Sequence, residues 1–143
     1  FSIVQETHSH ELAKQGQTMV YVGPKRASMI FDHDSLVQIL HNVTANFLRY
    51  AGPNTQLRMN FFHEQTHDIL IFQDNGRWVS ASELPYLKEK FYQADKSKTG
   101  DIRDRWWGVG LSIIDTIVRD AGGSVDLISA EGRGFNVRIE VPH

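Results

Sequence analysis

"LVQILHNVTANFLRYA", residues 36–51, carries two messages on one helix. Leu36, Leu40, Val43 and Phe47 fall at i, i+4, i+7 and i+11, the single apolar stripe of an amphipathic helix. Asn42 and Asn46 stand four apart and share another face, which Arg49 and Tyr50 continue by one more turn. The stripe needs a core to bury it, and the polar face is left to line a cleft. Asp32 or Ser35 caps the start, with Ser35 and Gln38 spaced as a capping box, and "AGPN" (51–54) ends the helix.

Toward the N-terminus, residues 1–15 read as a short amphipathic helix stopped near Gly16. "TMVYV" (18–22) is a strand, "GPKR" (23–26) a turn and "SMIF" (28–31) a second strand. Toward the C-terminus, "LRMNFF" (57–62) and "DILIF" (68–72) form a hairpin joined by "HEQTH" (63–67). Residues 73–107 are polar and rich in turn formers, with one short helical stretch near Glu83–Phe91. A segment this long between packed elements is usually functional or mobile. A helix is expected from about Val109 to Ala121, with Leu111, Ile114, Ile117 and Val118 on one side and Gly122-Gly123 at its end. "SVDLIS" (124–129) and "FNVRIEV" (135–141) close the chain as strands. The sum is an α+β fold, a two-layer sandwich with a mixed, mostly antiparallel five-stranded sheet and three helices on one face.

The 143 residues suffice for one domain with one core. A net charge of −2 gives no global basic field, which argues against a nucleic-acid partner. Cysteine is absent, so disulfides, thiolate metal sites and cysteine nucleophiles are excluded together, in keeping with a cytoplasmic setting. No apolar run approaches the roughly 18 residues of a membrane span, so direct membrane contact is not expected. The chain begins at Phe1 without an initiator Met, which reads as a piece of a longer protein.

Two motifs are decoys. "HEQTH" matches the zinc-protease pattern, but that chemistry needs both histidines on one helix face, and here the pattern falls at a hairpin tip with no third ligand evident. It reads as a solvated turn. "SHEL" (9–12) resembles the start of a phospho-acceptor box, but Gly16 cuts its helix short, and His10 reads as a surface histidine.

The remaining chemistry is glycine-rich. "FQDNGRW" (72–78) presents Asp74 just past a strand, then Asn-Gly, able to offer a carboxylate and a close-approach glycine to a planar ligand. "GVGLSII" (108–114) puts Gly108 and Gly110 at an expected helix start, where free N–H groups and the helix dipole attract phosphate. A carboxamide oxygen such as that of Asn46 suits Mg²⁺ when phosphates bring the negative charge. Each signal alone is weak; their fixed order is not.

In that order, "LVQILHNVTANFLRYA", "FQDNG", "LKEKFYQADKSK", "GVGLSIIDTIV", "GGSVDLIS" and "GRGFNVRIEVP" resemble the successive ATP-binding motifs of sensor histidine kinases, from about residue 18 to residue 142. The resemblance implies the Bergerat fold, shared with gyrase-type and MutL-type ATPases, over residues 1–143, with a mobile ATP lid at about 92–107. It implies ATP and Mg²⁺ as cofactors. Asn46 would ligate Mg²⁺, with Asn42 beside the phosphates and Arg49 touching them. Tyr50 would flank the nucleotide, Asp74 would accept from the adenine amino group, and Gly76 would let the base approach. Phe91 would open the lid, and Gly108 and Gly110, with Leu111 beside them, would hold the phosphates. The implied partners are a histidine-bearing dimerisation domain and a response regulator. An isolated catalytic domain would be monomeric.

Gyrase-type ATPases carry a Glu one turn before the Mg²⁺-binding Asn. Here that position is Asn42, which accepts no proton at neutral pH, and this favours a histidine kinase. The chain departs from the family pattern at Trp78, Trp106 and Trp107, which stand where glycines or small residues are usual. A degenerate, pseudokinase-like partner-binding module is therefore the alternative.

Overall fold

The computed structural model describes residues 1–24, 31–76, 102–129 and 134–143, with the backbone alone over 102–110. The long amphipathic helix, α3 (His33–Tyr50), follows α1 (Ser2–Thr7), α2 (Ser9–Gln15) and β1 (Thr18–Val22). Asp32 caps it: its carboxylate accepts from the Ser35 N–H at 2.6 Å. Ser35 is thus the capped residue and not the cap, so the Ser35–Gln38 capping box does not form.

The expected N-terminal helix is two helices. The spiral breaks at His8, whose ring turns onto α3, its Nε2 3.0 Å from Nδ1 of His41. Val4 and Leu12 are buried on either side of the break. Gly16 ends α2 in the left-handed conformation, at φ 68°, which a residue with a Cβ adopts only at a cost.

The chain then forms β2 (Gln56–His63), β3 (His67–Asp74), α4 (Ile102–Asp120), β4 (Ser124–Ser129) and β5 (Phe135–Pro142). The five strands lie in the order β1-β2-β3-β5-β4. β1 runs parallel to β2 because α3 connects them, as a parallel pair needs a crossover; the other pairs are antiparallel. Of the proposed strand 28–31, residues 28–30 lie outside the described residues, and Phe31 is not in a strand. The short helical stretch near Glu83–Phe91 and the turn at 131–133 also lie outside them.

α4 starts seven positions earlier than expected, so Gly108 and Gly110 sit inside a helix and not at its start. Glycines read as a boundary in the sequence. Each costs only about 1 kcal/mol in a helix interior, and no proline interrupts residues 102–120. At its other end Gly122, at φ 81°, lets the Gly123 N–H return to the Val118 carbonyl at 2.9 Å.

One face of the sheet is apolar by strict alternation. Phe135, Val137, Ile139 and Val141 of β5 point inward beside Leu70 and Phe72 of β3. α3 and α4 pack together over this face, contributing Ile39, Leu40, Val43 and Phe47 from one helix and Leu111, Ile114 and Val118 from the other. The inward positions of β3 end in charge: Asp68 at one end of the row and Asp74 at the other are both buried. Strand length separates them by about 20 Å, at roughly 3.3 Å per residue.

Candidate nucleotide site

Asp74 is the last residue of β3 and only 9% exposed. Two backbone donors hold its carboxylate: the N–H of Gly76, at 2.9 Å from Oδ1, and the N–H of Phe135 at the start of β5. Burial pushes its carboxyl from 3.8 up to about 6, against the pull of these two hydrogen bonds. The group is therefore ionised at neutral pH but poised to take a proton just below it.

Two glycines make this geometry possible. A Cβ at Gly76 would collide with the backbone of Ala51, at the C-terminal end of α3. Close approach at Gly76 thus joins the strand end to the helix that carries the asparagines. A Cβ at Gly134, which sits at φ 72°, would collide with the carbonyl of Asp74. In the sequence "EGRGF" (131–135) reads as a glycine-rich turn that opens the last of the family-like motifs, with Phe135 able to face the adenine pocket, but the Phe135 N–H bond and the Gly134 contact to Asp74 are not read there. The available signal is the glycine directly before the strand.

On α3, Asn46 is 7% exposed, and its Nδ2 has no hydrogen-bond partner among the described residues. A buried amide left unpartnered costs roughly 1–3 kcal/mol, so such a group is an exception that asks for a reason. Asn46 is expected on a face clear of the core, yet it is as buried as the apolar stripe. Asn42, one turn earlier, is half-buried, and its Oδ1 accepts from Gln38 at 3.2 Å. Arg49 is exposed and Tyr50 half-buried. His41, next to Asn42, points to His8 instead, and burial, with His41 as neighbour, holds the His8 imidazole below its usual range.

The structure thus brings the end of α3 and the end of β3 together through Ala51 and Gly76. Leu111 is fully buried in the core, so its side chain is not available to a ligand. Gly108, Gly110 and Leu111 lie beyond the first turn of α4, and only the first four N–H groups of a helix lack intrahelical partners. The expected phosphate cradle at a helix start is therefore not the arrangement observed. Phe91 and Trp78 lie outside the described residues, as do the side chains of Trp106 and Trp107.

A buried carboxylate at a strand end and a buried carboxamide on the neighbouring helix, its Nδ2 unpartnered among the described residues, suit adenine and Mg²⁺ respectively: one is an acceptor for an exocyclic amine, the other a neutral oxygen donor after rotation of the amide. The fold defines a class, the two-layer α/β sandwich on a five-stranded mixed sheet. Residues 31–143 match the family of histidine kinase-, DNA gyrase B-, and HSP90-like ATPases, and the chain belongs to that family.

Among characterised relatives, the sensor protein SrrB of Staphylococcus aureus (strain MRSA252) is 28% identical over 127 residues. That match covers 89% of this chain but 21% of SrrB, so the chain spans about a fifth of the length of this relative. The catalytic domain of histidine kinase ThkA has the same fold, with a TM-score of 0.77 at 18% identity over 99% of this chain and 88% of that one. Full-length ShkA in complex with AMPPNP matches 99% of this chain and 28% of its own, with a TM-score of 0.75 at 21% identity.

Proposed function

We propose that this chain is the catalytic domain of a two-component sensor histidine kinase, which binds Mg-ATP and passes the γ-phosphate to a histidine on a separate dimerisation domain. The observation that carries the reading is Asn46, a buried carboxamide whose Nδ2 has no partner among the described residues, on the helix whose end meets Gly76, two residues after Asp74. Asp74 selects adenine by accepting from its amino group, and Gly76 and Phe135 fix the carboxylate for that bond. Asn46 holds Mg²⁺, which neutralises phosphate charge when bound. Asn42 and Arg49 position the phosphates, and Tyr50 flanks the nucleotide. Transfer then rests on positioning and charge neutralisation. Asn42 in place of an acid puts no base one turn before Asn46 to activate water, which favours phosphotransfer over hydrolysis.

Donation from Gly108 and Gly110 to phosphate requires the start of α4 to retreat to these residues, with Phe91 and the lid at about 92–107 closing over the nucleotide. The partners in this reading are the acceptor-histidine domain and a response regulator. The parent is a larger sensor, with this part in the cytoplasm and monomeric by itself. No helix among the described residues is long and apolar enough to cross a membrane.

The test is the chain joined to an acceptor-histidine dimerisation domain and supplied with labelled Mg-ATP. Acid-labile, base-stable phosphate on the acceptor is the expected product. Release of free phosphate with no labelled protein would overturn the kinase reading. Failure to bind Mg-ATP at all would establish the pseudokinase-like module.

A further inference from the structure

The other charged end of β3 forms a second cluster, far from the nucleotide site. His63 and Asp68 are direct partners in the β2–β3 register, so their side chains share a face. Asp68 is opposite Val141 in the β3–β5 register, and His143, two residues further, returns to that same face. Nδ1 of His63 donates to Oδ1 of Asp68 at 2.6 Å, and Nε2 of His143 donates to the same oxygen at 2.8 Å. The two rings stack with centroids 4.6 Å apart. The His143 N–H donates to the Thr66 carbonyl at 2.9 Å, which fixes the third residue against the hairpin.

"HEQTH" is therefore more than a solvated turn. Its first histidine shares Asp68 with a third ligand that the sequence did not show, His143, just past the end of β5 and 75 residues from that carboxylate. His67, the motif's second histidine, bonds to Thr66 and takes no part. The zinc-protease arrangement stays excluded, since these residues lie on strands.

We propose that His63, Asp68 and His143 form a binding site for a divalent transition cation of the Zn²⁺ class. One donor atom from each residue lies within 4.8 Å of the others. Two imidazole nitrogens and one carboxylate oxygen suit Zn²⁺, Co²⁺ or Ni²⁺, and not the all-oxygen preference of Mg²⁺ or Ca²⁺. Metal–ligand bonds of about 2.0–2.1 Å put neighbouring tetrahedral ligands roughly 3.3 Å apart, so the two contacts to Oδ1 need to open by about 0.5–0.7 Å. The metal takes the place of the two ring protons now shared with Oδ1, and each imidazole then carries its proton on its other ring nitrogen, the shift passing through solvent. The side chain of Asp68 is 5% exposed, whereas those of His143 and His63 are 33% and 62% exposed. The carboxylate is thus the fixed anchor, while the histidines supply both the adjustment and an open path for the ion. Remaining coordination positions face water. Asp68 stands in a core-facing row where an apolar residue would pack, and among the described residues its charge partners are these two imidazoles.

The experiment titrates Zn²⁺ into the metal-free chain by calorimetry, follows Co²⁺ by its visible absorption, and reads the melting temperature with and without chelator. One ion per chain should bind, weakened at least tenfold in His63→Ala, His143→Ala and Asp68→Asn. The Co²⁺ band and the metal-dependent rise in melting temperature should go with it. His143→Ala removes an exposed ring at the end of the sheet and keeps the test valid if Asp68→Asn does not fold. His41→Ala, which breaks the other histidine pair, should change nothing. Wild type binding no more tightly than the His63→Ala, His143→Ala double variant, or a loss that follows His41→Ala, would overturn the proposal.

Discussion

Replacing Asp74 with asparagine tests both the environment and the role of this carboxylate. In the folded chain its pKa is raised from 3.8 to about 6, so the folded state holds the proton more tightly than the unfolded state. The contribution of this group to stability is therefore fully present below about pH 3.8 and lost as pH rises through 6. A shift of about two units corresponds to roughly 3 kcal/mol. The substituted carboxamide does not titrate, so the stability difference between wild type and Asp74→Asn should move by about this amount between pH 7 and pH 4, in favour of wild type at the acid end.

Binding follows the opposite sign. An adenine amino group needs the ionised acceptor, and a hydrogen bond to a charged group is worth about 1.5–3 kcal/mol. Affinity for Mg-ATP at pH 7.5 should fall roughly 10- to 150-fold in the variant. Below pH 6, wild-type affinity should drop about tenfold per unit, because each unit of protonation costs about 1.4 kcal/mol. The variant, sharing the titration of the ligand itself, isolates the contribution of Asp74 in the difference. Calorimetric titrations across pH 5–8 and urea melts across pH 4–7 give both curves. Parallel binding profiles for the two proteins would refute the assignment to adenine, and parallel stability profiles would refute the raised pKa.

Asn46→Ala should keep the fold, by circular dichroism, and lose the Mg²⁺-dependent part of ATP affinity; equal affinities with Mg²⁺ and with chelator in wild type and variant alike would remove Asn46 from the metal. Gly76→Ala places a Cβ against the Ala51 backbone and should destabilise by about 1–3 kcal/mol in urea, with nucleotide affinity falling as well. Ile114→Ala, at a fully buried position on α4, should cost about 2–5 kcal/mol; a loss below 1 kcal/mol would displace α4 from the core.

The local elements are legible in the sequence because their causes are local. The 3.6-residue period of Leu36, Leu40, Val43 and Phe47 marks α3, and Gly16 and Gly122 mark the ends of α2 and α4 by the backbone conformation each supplies. The alternation of residues 135–141 marks β5 and its inward face. The order of the short motifs carries the family, which no single motif does. The start of α4 is misread because glycine lowers helix propensity by an amount that the rest of the helix outweighs, and a window of a few residues does not weigh it.

Tertiary structure decided what depends on distant partners. Only folding shows that β5 enters between β3 and β4, which brings the Phe135 N–H to Asp74 and sets that carboxylate in the buried surroundings that raise its pKa. Only folding shows that Asn46 is buried with its Nδ2 unpartnered among the described residues, and that Gly76 is small to admit Ala51. The same holds for His63, Asp68 and His143. Hydrophobic period and turn chemistry are written in neighbouring residues, whereas desolvation and hydrogen bonding depend on which strands become neighbours. Sheet register alone brings His143 to a carboxylate 75 positions earlier in the chain.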